Sequence, residues 1–156
     1  MKVTPYVRPF ARPIALGPRQ LAALFAVLTA PLGVALAAPP EGVRQHFQAI
    51  GSGDVAAISQ AYGEHAQLSW IGGPHDGTYR GADQIKGMWE KFTSAHGKLQ
   101  VAVARIEEST NASGSTVTAN VQLRGRQRRF KLRCVLTYRD GRIMAESWQV
   151  DPTLSM

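Results

Sequence analysis

Hydrophobic and polar positions along the chain change period three times, and each change marks an element. From Glu41 to Ser52 the apolar positions Val43, Phe47 and Ile50 fall at i, i+4 and i+7, one stripe of a helix. Ser52-Gly53-Asp54 is a break, with Asp54 placed to cap a second helix that carries Val55, Ile58, Ala61 and Tyr62 on one face and stops at Gly63. His65 to Ile71 alternates, with Ala66, Leu68 and Trp70 on one side, as a short strand does. Gly72-Gly73-Pro74-His75-Asp76-Gly77 has loop composition. Ile85, Met88, Trp89 and Phe92 return to the helical spacing, and Gly97 ends that third helix.

Beyond Gly97 the period is two. Leu99, Val101 and Val103 alternate, then Val117, Ala119, Val121 and Leu123, then Phe130, Leu132, Cys134, Leu136 and Tyr138. Asp140-Gly141 is a hairpin signal leading to a last strand from Arg142 to Val150. Helices followed by a four-strand antiparallel run predict an α+β domain with helices packed on one face of a sheet.

The first 37 residues follow a different logic. Lys2, Arg8, Arg12 and Arg19 precede the apolar run Leu21 to Leu36, which closes on Ala35-Leu36-Ala37. That order is expected of a secretory signal peptide over residues 1–37, and it implies a periplasmic or secreted location; an uncleaved anchor is the alternative. The run is shorter than the ~20 apolar residues that span a bilayer, so the mature form is not expected to cross a membrane. Residues 38–42, with Pro39-Pro40, read as a linker, 43–151 as the domain and 152–156 as a tail.

Charge matters only after this division. The chain has 156 residues and a formal net charge of +7, but four of its 18 basic residues lie in the leader, which carries no acid. Most of the remaining excess sits between Arg124 and Arg133, either a solvated hairpin tip or a site for an anionic partner. No aromatic residues interleave on that face, so nucleic acid is not expected. The single Cys134 excludes an internal disulfide, and no His, Asp or Glu pair has metal-ligand spacing, so neither metal nor cofactor is expected.

Phe47-x-Ala49-x-x-x-Gly53-Asp54, Ala57-x-x-x-x-Tyr62, Gly77-x-Tyr79-x-Gly81 and Ile85-x-x-x-Trp89, with Asp140-Gly141-Arg142-Ile143 and Trp148 at the end, resemble the SnoaL-like branch of the nuclear transport factor 2-like superfamily. The resemblance covers about residues 41–151. It implies a cone-shaped curved antiparallel sheet wrapped around three N-terminal helices, a mostly apolar pocket, and pairing of two copies through the sheet face. The superfamily holds ketosteroid isomerases, polyketide cyclases, dehydratases, epoxide hydrolases and domains that only bind, so the fold alone does not choose a reaction. The isomerase residues do not carry over: their oxyanion tyrosine falls on His46, their base near Trp70 and their second acid near Cys134.

Glu146 is the sharpest candidate for chemistry. Met144, Glu146, Trp148 and Val150 share the bulkier face of the last strand, which would place a lone carboxylate among apolar groups. The plainer alternative is an exposed glutamate paired with a neighbouring arginine. His46, beside Phe47, is either a pocket imidazole that pairs with Glu146 or a satisfied residue at the helix flank. Trp70, Trp148, Tyr62, Tyr79 and Met144 are candidates to line a pocket for a small hydrophobic ligand, against a plain core role. His75-Asp76 is a candidate pocket cover. Two functions follow: an exported small-molecule-binding or accessory domain, or a small acid/base enzyme of the cyclase, isomerase or dehydratase type using Glu146 and His46.

Overall fold

The computed structural model describes residues 41–156. The secretory leader read over residues 1–37 lies outside the described residues. Three helices and six strands follow in the order α1 (Glu41–Ser52), α2 (Val55–Gln60), β1 (Tyr62–Ile71), β2 (Gly77–Arg80), α3 (Gly81–His96), β3 (Gln100–Asn111), β4 (Gly114–Arg124), β5 (Arg129–Arg139) and β6 (Arg142–Val150). The strands form one open sheet in the order β2-β1-β6-β5-β4-β3, antiparallel throughout except where β1 runs parallel to β6.

The local signals behave as their chemistry requires. Asp54 Oδ1 accepts from Ala57 N–H at 3.0 Å and starts α2. Gly97, at φ +64°, closes α3 as its N–H bonds Thr93 O at 2.8 Å. Asp140 and Gly141 both take positive φ, the geometry a two-residue hairpin between β5 and β6 demands.

One face of the sheet and the helices share a single core. Val117, Ala119, Val121, Leu123, Leu132, Cys134 and Leu136 are buried on the sheet side, and Val43, Phe47, Ile50, Ile58, Ile85, Met88, Trp89 and Phe92 meet them from the helices. Sheet irregularities interrupt the pairing between Ala104 and Glu107, where Arg105 adopts φ 51°, and opposite Thr137 and Tyr138. Such bulges bend strands and increase their twist, so the curvature is built into the register.

Five expectations need correction. Glu41 and Gly42 belong to α1 rather than to a linker. Tyr62 is not on α2 but opens β1, because Ile143 N–H bonds Ala61 O at 2.8 Å and pulls the chain into the sheet. Gly77–Arg80 is a strand, too short to show its period. Around Met144 the β5–β6 register slips, so Ile143 is buried while Met144 is only half-buried and rests on side-chain-free Gly63. Finally, residues 152–156 are not a loose tail. Leu154 is buried, its carbonyl accepts from Lys131 Nζ at 2.9 Å, and Ser155 O accepts from Asn120 Nδ2 at 2.8 Å.

Candidate functional site

β6 delivers the site. Glu146 pairs across to Leu136 on β5 and lies beside Leu68 of β1, so its carboxylate enters the core between two fully buried leucines. Such burial of a charged group is stable only when hydrogen bonds replace the lost water. Three donors do so. Trp148 Nε1 donates to Oε1 at 2.7 Å, His46 Nε2 lies 2.9 Å from the same oxygen, and the Tyr62 hydroxyl donates to Oε2. Trp89 Nε1 donates in turn to the Tyr62 oxygen at 3.0 Å. Helix α1, strand β1 and helix α3 thus each contribute one ring, and strand β6 a ring and the carboxylate, to a single network.

The tautomer follows from the charge on Glu146. Indole nitrogen can only donate, so Oε1 already accepts from Trp148. With Glu146 ionised both of its oxygens accept, and His46 then carries its proton on Nε2. Nδ1 of the neutral ring is then the free lone pair. That atom is buried and has no hydrogen-bond partner, and the hydroxyl of Tyr138 is in the same condition. Burial, and then the charge of Glu146, hold the Tyr62 phenol and the Cys134 thiol well above their ordinary values, and push the Tyr138 phenol up as well. All three are therefore protonated near neutral pH. Cys134 Sγ lies 4.0 Å from Glu146 Oε1 and acts as a weak donor.

The structure brings together Glu146, His46, Tyr62 and Trp148 of the sequence candidates. Trp70 and Trp148 are adjacent, but they do not line an opening. They stack at 5.8 Å with a 17° interplanar angle, and Trp89, Phe92 and Phe47 pack edge-on or tilted against them. At 3% and 0% exposure these indoles fill the interior. Tyr79 stands apart, half-buried, its hydroxyl donating to His75 O at 2.9 Å. Met144 is turned away by the register slip. One contributor was not singled out for this network, Trp89, which had the spacing of a core residue; Tyr138, whose buried hydroxyl bonds none of its members, carried only an alternation signal.

His75 does lie over the aromatic interior, with its ring 5.7 Å from Trp70, 5.3 Å from Phe92 and 5.7 Å from His96. Burial holds both imidazoles below their ordinary 6.5, and in His96 the charges of His75 and Arg128 add to it. A histidine held neutral stabilises the fold fully above its unfolded value and loses that contribution as the pH falls below it. The thermal midpoint should therefore be flat above pH about 7 and decline from about 6.5 downward, and His75→Gln/His96→Gln should flatten the decline. An unchanged midpoint in wild type between about pH 7 and 5 would refute this coupling.

Larger openings lie elsewhere. A cavity of about 510 Å³ is bounded by Gly42, Val43, Tyr138 and the β3–β4 and β5–β6 turns, one helical turn from His46. A second of about 510 Å³ lies between the end of α3 and the β4–β5 hairpin. Among the described residues no group of three or more His, Cys, Asp or Glu side chains is placed to hold a metal ion, and no helix is long and apolar enough to cross a membrane.

Comparison with known structures returns the same architecture under several names. A nuclear transport factor 2-like protein of unknown function from Pseudomonas putida superposes with a TM-score of 0.62 at 14% identity, over 69% of this chain and 80% of that one. A protein of unknown function with a cystatin-like fold from Nostoc punctiforme gives 0.61 at 13%, over 73% and 89%. An epoxide hydrolase from M. tuberculosis gives 0.53 at 18%, over 70% and 80%. At these identities the likeness concerns the fold. Among curated proteins none matches the chain. The model of the SnoaL-like domain matches residues 43–146, from the first buried residue of α1 to the carboxylate at the centre of the network, and the chain belongs to the SnoaL-like family.

Proposed function

We propose that the protein is a small acid/base enzyme that moves a proton on an apolar substrate, exported by the leader whose basic, apolar and Ala35-Leu36-Ala37 segments precede the domain. One observation carries the reading of the site: a fully buried carboxylate orients His46 through Nε2 and leaves Nδ1 unpartnered. A carboxylate that fixes an imidazole's tautomer also stabilises the cation formed when the other nitrogen takes a proton. His46 Nδ1 is then the base, Glu146 the positioning residue, and the unpartnered, protonated Tyr138 hydroxyl the donor to a substrate oxygen. The proton leaves a substrate carbon for Nδ1 and returns from it to the product, so nothing is consumed. The cavity bounded by Val43 and Tyr138 opens one helical turn from His46 along α1.

Proton NMR of tetralone in deuterated buffer tests this. Wild type should speed exchange at the carbon next to the carbonyl, and His46→Gln should lower that rate about 100-fold or more. Glu146→Gln should shift the pH profile of the exchange as well as its rate, which a merely structural carboxylate would not do. Equal rates for wild type and folded His46→Gln would overturn the proposal. A second reading, an apolar-ligand-binding domain without chemistry, is favoured by the complete burial of both His46 and Glu146 side chains. It holds if tetralone perturbs the tryptophan fluorescence while exchanging no faster with wild type than with buffer.

A further inference from the structure

The cavity at the opposite end of the aromatic interior has a different chemistry. Its walls are the segment that leaves α3, Ala95 to Leu99, and the hairpin between β4 and β5, Gly125 to Phe130. The hairpin is held by Gly125 N–H to Arg128 O at 2.9 Å, and the α3 exit by Leu99 N–H to Gly51 O at 2.8 Å, so both walls are braced. Lys98, Arg126 and Arg128 line the space, and no acid does. Among the described residues none of the three makes an ion pair. A neighbouring cavity of about 380 Å³ shares Lys98 and Arg126 and adds Arg124, again without an acid. Cations gathered in a concave space, with no protein counter-charge, focus a positive potential there.

The floor is apolar and partly aromatic. Leu99 is buried, Phe130 is half-buried, and the His96 ring sits edge-on to Phe130 at 5.0 Å and to Phe92 at 4.7 Å. Burial, with the neighbouring charges of His75 and Arg128, favours the uncharged ring of His96, which then presents a flat, weakly polar surface. The end of α3 contributes a partial negative charge, but three full cations outweigh it.

We propose that this cavity binds a small organic anion, a carboxylate carried on a planar apolar ring. The carboxylate sits among Arg126, Arg128 and Lys98, where guanidinium groups match its two oxygens, and the ring rests against Phe130, His96 and Leu99. The assignment is independent of the chemistry proposed at His46.

Isothermal titration calorimetry of the full-length protein with naphthoate and with naphthylmethanol, the neutral molecule of the same ring system, tests it. Wild type should bind naphthoate at least about tenfold more tightly than the alcohol. Arg126→Gln/Arg128→Gln removes two exposed side chains without ion pairs, so the fold persists, and it should erase that preference. Phe130→Ala should weaken both ligands, and His46→Gln should leave naphthoate binding unchanged. Equal affinities for acid and alcohol in wild type, no heat with naphthoate at millimolar concentration, or an undiminished preference in the double arginine variant would each overturn the proposal. Loss of naphthoate binding in folded His46→Gln would also overturn it, by placing the ligand in the interior instead.

Discussion

Glu146→Leu is expected to lower the unfolding free energy by about 3–5 kcal/mol, measured by urea denaturation. Leucine would fit among Leu68 and Leu136, so the loss does not come from shape. It comes from the donors left behind: the Tyr62 hydroxyl, the Trp148 indole N–H and His46 Nε2 all converge on this carboxylate. Each buried donor without an acceptor costs about 1–3 kcal/mol. Against a total of about 5–15 kcal/mol for a domain, this is enough to leave the variant marginal. Glu146→Gln retains one acceptor oxygen and should cost less, because only one of the two carboxylate positions becomes a donor facing donors. A Glu146→Leu variant within about 1 kcal/mol of wild type would show that the network adds nothing to stability.

Trp148→Ala should cost a similar amount, about 3–5 kcal/mol, by a different route. The indole is fully buried, stacked on Trp70 and edged by Phe47 and Trp89, so its removal leaves a void that rigid neighbours cannot close. It also takes away one of the hydrogen bonds to Glu146. Trp148→Phe separates the two effects, since it keeps most of the ring contact and loses only the N–H, and it should cost about 1–2 kcal/mol. If phenylalanine proves as damaging as alanine, the hydrogen bond and not the packing dominates at this position.

Much of this was legible in the residues because the deciding interactions are local. The spacing of Val43, Phe47 and Ile50, the cap at Asp54 and the Asp140-Gly141 turn each act within a few residues. The inward direction of Glu146 followed from strict alternation with Trp148. Alternation failed two residues earlier, at Met144, because the slipped register there is set by the partner strand and leaves no local trace. Tyr62 was misplaced for the same reason. Its helical spacing with Ile58 is real, but its hydroxyl partner and the backbone bond of Ala61 lie more than eighty residues ahead. The interior aromatic stack was visible as a list of rings; that it would be full rather than hollow depends on side-chain volumes meeting across four elements. The C-terminal residues gave no periodic signal, since Leu154 is anchored by backbone carbonyls that any sequence would offer.

The single parallel pairing in the sheet has a consequence for the order of assembly. β1 pairs locally with β2, but its other neighbour is the last strand, so Tyr62 and Glu146 meet across almost the whole domain. Closing so long a loop carries an entropic cost that local helices do not bear. The β3–β4–β5 meander can form from neighbouring segments, but of the network it holds only the weak donor Cys134. A chain that has built its helices and its meander is therefore still chemically blank, and the histidine acquires its carboxylate in the same event that joins the two ends of the fold.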